Sequence, residues 1–207
     1  MQEETVMKKQ SQSMILFVCL VFSMVCIPEH SQAQDFSPRF AIQPVGGWGI
    51  PVGDFGDGVN SGLTFGGKLR YYPHEFYSLD LTFLHGPNYS MKDEIIGAPD
   101  VDGKAKVTQI SLDNNVYLHT KGKAKPFLRI GLGMYRLSAE AEQTFEGVTI
   151  SASDSENKFG INLGPGLEIR TSNKIGLVFD ANYHIIFTEN ESTKMLSFGT
   201  GVNIYLN

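Results

Sequence analysis

The chain has 207 residues, with 17 Lys and Arg against 22 Asp and Glu and a formal net charge of −5. That length holds one domain of ordinary size, and the mildly acidic balance excludes a basic nucleic-acid binder. The longest apolar run, 14–27, is shorter than the roughly 20 residues a transmembrane helix needs.

That run, MILFVCLVFSMVCI, follows Lys8 and Lys9, is broken by Pro28, and leads to Ser31-Gln-Ala33. A basic start, a short apolar centre and small residues at the end describe a secretory signal peptide over 1–33, cut after Ala33. Glu3 and Glu4 are out of place before such a segment, so translation is expected to begin at Met7. A lipidated Cys26 is disfavoured, because Ser-Met-Val before it lacks the small residues a lipobox requires. Cys19 and Cys26 both lie inside the signal. The mature chain therefore has no disulfide, thiolate nucleophile or cysteine–metal site. Cleavage removes Lys8 and Lys9 (17 − 2 = 15) and Glu3, Glu4 and Glu29 (22 − 3 = 19).

From residue 34 onward a period of two dominates, the mark of β-strands. The first strand, about 39–50, sets Phe40, Ile42, Pro44, Trp48 and Ile50 against Ala41, Gln43, Val45, Gly47 and Gly49. Pro44 cannot donate to a ladder, so a bulge is expected there. The second, about 62–72, sets Leu63, Phe65, Leu69 and Tyr71 against Thr64, Gly66, Lys68 and Arg70. A turn at Pro73-His-Glu75 leads to the third, about 76–85, with Tyr77, Leu79, Leu81 and Phe83 against Ser78, Asp80 and Thr82. The fourth, about 106–118, opposes Ile110, Leu112, Val116 and Leu118 to Gln109, Ser111, Asp113, Asn115 and Tyr117.

After the basic turn Lys121-Gly-Lys-Ala-Lys125, the fifth strand, about 126–137, opposes Leu128, Ile130, Leu132 and Met134 to Phe127, Arg129, Gly131, Gly133 and Tyr135. The sixth, about 158–170, opposes Phe159, Ile161, Leu163, Leu167 and Ile169 to Gly160, Asn162, Gly164, Gly166 and Glu168. The seventh, about 175–187, opposes Leu177, Phe179, Tyr183 and Ile185 to Asp180, Asn182 and His184. The eighth, about 195–206, opposes Leu196, Phe198, Val202, Ile204 and Leu206 to Ser197, Gly199, Gly201, Asn203 and Tyr205.

One face is bulky and apolar, the other small or polar. Turns near 73–75, 119–125 and 171–174 are short, whereas 51–61, 86–105 and 138–157 are longer. Aromatics gather near the strand ends, Tyr71 and Tyr77 on the turn side and Trp48, Phe159 and Phe187 on the loop side. These features predict an all-β fold: an eight-stranded antiparallel up-and-down transmembrane β-barrel over 34–207. It is expected in an outer membrane with both termini periplasmic. A soluble lipocalin-like barrel, with its bulky face inward, is the competing architecture.

Eight strands enclose an interior that side chains can fill. Lys68, Arg70, Arg129 and Arg170 are expected to meet Asp80, Asp113, Glu168 and Asp180 there as a structural charge network, since unpaired buried charge is costly. A hairpin folded around His74 would set Lys68 opposite Asp80 and Arg70 opposite Ser78. Tyr117, Tyr135 and Tyr205 would lie across the space left by inward glycines.

Gly49-Ile-Pro-Val-Gly-Asp-Phe-Gly-Asp57 resembles the first-loop signature of the bacterial outer-membrane β-barrel domain proteins, the "porin family". Pro126–Tyr135, Phe159–Glu168 and Val178–His184 resemble their central and late strands. The resemblance spans the mature chain and implies a barrel read by the assembly machinery during insertion. It brings no catalytic residues. Many such proteins end in phenylalanine; this chain ends Tyr205-Leu-Asn207, which shifts that recognition toward Tyr205.

Several features invite chemistry. His184 and Ser197 face inward near one another, and a hydroxyl beside an imidazole can be a nucleophile. The lipid A deacylase spacing of His and Ser two apart on one strand is absent, so a lumen hydrogen bond is the expected role. Asp100-Val-Asp-Gly103 and Asp54-Phe-Gly-Asp-Gly58 hint at calcium loops, but counting from Asp100 puts Ser111 where an EF-hand needs Glu. They read as turns. Asp54-Phe-Gly56 lacks any companion kinase motif, and the sequons at Asn88 and Asn190 carry little weight. Neither cofactor nor metal is expected.

The outer loops are acidic, through Asp93, Glu94, Asp100, Asp102, Glu140, Glu142, Glu146, Asp154, Glu156, Glu189 and Glu191. Weak alternation at Phe145, Val148 and Ile150 suggests strands that continue past the membrane and offer an edge to a protein partner. The expected role is structural or surface-interacting, among outer-membrane lipid and lipopolysaccharide. A narrow pore or transporter of small hydrophobic molecules is the alternative, and a lipid A-modifying enzyme the third.

Overall fold

A computed structural model describes residues 39–91, 101–145, 148–188 and 192–206. Residues 1–33, expected to be a signal peptide, lie outside the described residues. So do Asp93, Glu94, Asp100, Glu146, Glu189, Asn190 and Glu191.

Residues of alternating character form β1 (Phe40–Val52), β2 (Gly62–His74), β3 (Tyr77–Ser90), β4 (Val101–Tyr117), β5 (Ala124–Phe145), β6 (Val148–Arg170), β7 (Ile175–Phe187) and β8 (Ser192–Leu206). A single helical turn, α1 (Asp54–Gly58), follows β1. Gly53 enters it with a φ of 65°, a left-handed conformation that glycine adopts without steric cost. Each strand pairs antiparallel with its chain neighbours, and β1 pairs with β8 to close the barrel. Closure leaves no unpaired ladder across the body of the sheet.

The facing of the side chains decides between the two barrel architectures. Leu81 is 53% exposed and Ile110 55%, whereas their neighbours Asp80 and Ser111 are buried. The same inversion holds at Ile42 beside Gln43, Leu69 beside Arg70, Ile130 beside Arg129 and Val202 beside Asn203. A barrel in water buries its apolar set. This one turns it outward in a continuous belt, as a barrel dissolved in lipid must. Phe40 stacks on Tyr71, with centroids 4.9 Å apart, at one rim, and Phe159 on Phe187, 6.2 Å apart, at the other.

Three local expectations need correction. The β1–β2 register runs through Pro44 opposite Gly67 with no shift, so there is no bulge. Pro44 is an exposed, outward position, and on the β8 side the ladder lapses at Gln43 and Pro44 and resumes in the same register at Val45. The second hairpin turns at Glu75-Phe76 rather than around His74, and His74 pairs with Tyr77. With a one-residue slip in register between Tyr71 and His74, Arg70 is opposite Asp80 and Lys68 opposite Thr82. Finally, 86–90 and 101–105 belong to strands rather than to a loop, while the continuation of β5 and β6 to Phe145 and Val148 agrees with the alternation there.

A second irregularity sits between Gly86 and Tyr89, where the β3–β4 register slips by a residue. Such a bulge inverts the facing of the next residues along the strand. Gly86 and Tyr89 therefore both point inward, and Tyr89 is fully buried.

Outward apolar positions face hydrocarbon, so Ile130→Arg, on the belt, should destabilise the folded barrel by about 2–4 kcal/mol in bilayer unfolding experiments. A water-facing Ile130 would tolerate the change at almost no cost.

Candidate functional site

The lumen is layered. At the end where β1 begins and β8 finishes, Ala41, Tyr72, Tyr117, Phe127, Val178 and Tyr205 pack into one cluster. At the opposite, hairpin end, Val59, Tyr89, Ala105, Val107, Tyr135, Ile186 and Met195 form a second. Phe55 of α1 packs against this second cluster, and Val59 bridges to Met91, so the β1–β2 connection folds over the mouth.

Charge fills the middle. The Arg70 guanidinium donates to both Asp80 carboxylate oxygens, at 2.7 and 2.6 Å, and from Nη1 to Glu168 at 2.9 Å. Arg129 lies within 3.2 Å of Asp80 and 3.1 Å of Asp180. Lys68 donates to Asp180 at 2.7 Å. A chain of alternating sign thus runs Lys68–Asp180–Arg129–Asp80–Arg70–Glu168, all of it buried. Lys68 meets Asp180 and not Asp80, because the turn at Glu75-Phe76 shifts the hairpin and the lumen brings β7 within reach of β2.

The remaining charges are placed differently. Asp113 accepts hydrogen bonds from Thr82 at 2.6 Å and Asn162 at 2.9 Å. Arg170 lies toward the terminal end, its guanidinium carbon 4.7 Å from the Tyr205 ring centroid. Glu168 is a hub that sequence reasoning did not foresee. Besides Arg70 it accepts from Tyr117 at 2.6 Å, Tyr205 at 2.5 Å and Tyr72 at 3.1 Å. The parity of Tyr72 with Arg70 was the available signal.

Glycines make the room. A Cβ at Gly131 would stand 2.0 Å from an Asp113 oxygen, and one at Gly166 2.1 Å from the Phe127 ring. Tyr89 lies in a slot lined by Gly49, Gly62 and Gly86, its hydroxyl 3.8 Å from the Met195 sulfur. Beneath it a cavity of about 20 Å³ is lined by Gln109, Asp180, His184 and Ser197 among others. That is space for little more than one water.

His184 and Ser197 do meet, at 2.8 Å between Nε2 and Oγ, while Nδ1 lies 3.0 Å from the Tyr135 hydroxyl. Both residues are buried. The register is diagonal, with His184 opposite Met195 and Ser197 opposite Asn182. Among the described residues no group of three or more His, Cys, Asp and Glu side chains is placed to hold a metal ion. Asp54 and Asp57 belong to the exposed surface of α1.

Outside the barrel body, β6 stops pairing with β7 at Gly160, opposite Ile186, yet continues along β5 to Val148. Strands β4, β5 and β6 project together as a three-stranded sheet. Among the described residues, β6 from 152 to 158 has no ladder partner on its β7 side. A recess of about 220 Å³ opens at its base, lined by Phe55, Val59, Met91, Ala105, Leu137 and Ala139 with Asp154 and Glu156 nearby.

A closed barrel with an apolar exterior and charged interior is the architecture that the outer membrane protein beta-barrel domain describes, and that family's profile matches residues 17–205. The chain belongs to this family. It is an outer-membrane protein. No curated protein sequence matches the chain. Among solved structures, a major outer membrane protein from Thermus thermophilus superposes with a TM-score of 0.61 at 12% identity, over 82% of this chain and 100% of that one. Neisserial surface protein A gives 0.57 at 16% identity, over 81% and 97%. Ail, the attachment invasion locus protein of Yersinia pestis, gives 0.52 at 15%, over 83% and 100%. At these identities the likeness is one of fold.

Within this family fold the charge chain and the surface pairs differ sharply in consequence. Arg70→Met would leave Asp80 and Glu168 buried without their bidentate partner, and should cost about 3–5 kcal/mol in urea unfolding. Glu140→Gln, which breaks the half-exposed Lys106–Glu140 pair, should cost no more than about 1 kcal/mol.

Proposed function

We propose that the protein is a surface-interaction barrel whose lumen is a structural core, with β4–β6 projecting outside the cell and both termini periplasmic. The observation that carries this reading is the projecting sheet with an open β6 edge beside a lumen plugged at both ends. Unpaired strand edges accept an added strand from another chain. Asp154, Glu156 and Lys158 stand along this edge, with Lys158 paired to Glu156 at 2.9 Å; the net charge of −1 (1 − 2) that remains favours an extended segment of an extracellular protein with a basic side chain. The orientation follows the general habit of bacterial barrels, short turns inside and long hairpins outside. Insertion through the barrel-assembly machinery and residence among lipopolysaccharide follow from the same placement. Tyr205, buried on Glu168 in the finished barrel, would be available to that machinery only before closure.

The reading is non-enzymatic. Ser197 lies beneath Tyr89 and Met195, where a lipid acyl ester has no path to its hydroxyl. Passage of small hydrophobic molecules is the second reading, favoured by the apolar recess at Phe55, Met91 and Leu137. That recess ends on the Tyr89 layer.

Two measurements separate these readings. Purified protein in planar bilayers should show no discrete openings; steady single-channel steps would overturn the plugged lumen. Replacing 137–156 by an Asn-Gly turn, closing on the Arg136–Asn157 pair, removes Asp154 and Glu156 with the edge and should keep the barrel heat-modifiable yet abolish attachment of expressing cells to protein-coated surfaces. Unchanged attachment would remove the projecting sheet as the interaction element.

A further inference from the structure

The outward face of β4, β5 and β6 changes character row by row, because the strand register aligns its residues across the sheet. The last apolar row is Ile110, Met134 and Phe159. The next is Thr108, Arg136 and Asn157, and the one beyond is Lys106, Ser138 and Ser155. Then come Lys104, Glu140 and Ser153. Each row is about 7 Å further along the strands than the one before. The carboxylates begin only in the third polar row. The first two hold cations, hydroxyls and an amide.

We propose that these two rows form a binding plate for the phosphate groups of the outer-leaflet glycolipid, with Arg136 and Lys106 as its charged contacts. The chemistry and the height agree. Arg136 and Lys106 are diagonal neighbours across the β4–β5 ladder, about 7 Å apart, a span that one phosphate can bridge. Ser138, Ser155 and Asn157 each add a donor around them, while the Thr108 hydroxyl is engaged with His85 Nδ1 at 2.9 Å. Arg136 already donates to Ser155 Oγ at 3.1 Å, which ties its guanidinium to the neighbouring strand. Lys106 is drawn toward Glu140 at 2.6 Å, but on the side away from the apolar row. Lys104, Lys106 and Arg136 against Glu140 leave the patch with a local charge of +2 (3 − 1).

A phosphate one row above acyl chains belongs to a lipid. A free anion would have no need of the Ile110–Met134–Phe159 row below it. The inference rests on the outward orientation of this end proposed above. It does not depend on the β6 edge.

The test uses full-length protein in detergent micelles with a metal chelator present, read by native mass spectrometry. The probes are bisphosphorylated lipid A, the same lipid with both phosphates removed, and inorganic phosphate as competitor. The phosphorylated lipid should bind about tenfold more tightly than the dephosphorylated one. The Arg136→Gln/Lys106→Gln double variant should erase that difference, and Ser138→Glu should weaken it independently. Lys121→Gln, in a turn at the other end, should change nothing. Equal binding of both lipids, or an unaltered double variant, would overturn the proposal. So would displacement of the lipid by inorganic phosphate at equal concentration, which would make this a free-anion site. Labelling of Ser153→Cys on intact cells by an impermeant maleimide checks orientation separately. Labelling with failed lipid binding sinks the plate alone, and lipid binding without labelling sinks the orientation.

Discussion

A charge inside a narrow barrel has neither water nor lipid headgroup to solvate it, so its counter-ion must come from another strand. That constraint organises the molecule. Lys68 and Arg70 on β2 find Asp80 on β3, Glu168 on β6 and Asp180 on β7, with Arg129 on β5 joining the two carboxylate sites. Local pairing cannot satisfy them. Arg70 and Glu168 are separated by 98 residues of chain, and they meet only when the sheet has curled. A slip of one residue in β2 would send its cations into hydrocarbon and its leucines into the lumen. The network therefore penalises wrong registers more than it stabilises the right one.

Filling the lumen this way determines where function can reside. The aromatic and apolar layers at both ends press against the charged middle: the Phe127 ring lies 5.6 Å from the Arg70 guanidinium and 5.5 Å from that of Arg129. Tyr89 and Met195 cap the other side. On the proposed reading, a core so occupied serves stability, and contact with the surroundings falls to the outer surfaces. There the strands continue where the membrane no longer supports them, and the exposed rows of β4–β6 turn from apolar to cationic to acidic.

Much of this was legible in the sequence, and the misses have particular causes. Alternation in Leu196–Leu206 or Leu128–Tyr135 identifies both strand and facing, because apolar bulk and glycine contrast at every step. Turn position is less legible: Pro73-His74 looks like a turn, yet both residues remain in β2 and the chain reverses at Glu75-Phe76. That displacement, with the slip between Tyr71 and His74, moves the pairing by two residues and sets Arg70 rather than Lys68 opposite Asp80. The inward Tyr89 was hidden by the Gly86–Tyr89 bulge, which reverses parity without any change in composition. The projecting parts of β5 and β6 carry Ser, Ala, Asp and Glu, so only the weak alternation at Phe145, Val148 and Ile150 marks them as strand.

Everything depends on which face of the ribbon meets lipid, and neighbouring positions on β8 report that most directly. Nitroxide labels at Val202 and Asn203, in protein reconstituted into bilayers, can be compared for collision with oxygen and with a water-soluble nickel chelate. Val202 should collide freely with oxygen and hardly with nickel, while Asn203 should be shielded from both. An Asn203 label relaxed by oxygen in the bilayer, with Val202 shielded, would reverse inside and outside and contradict the lipid-facing assignment.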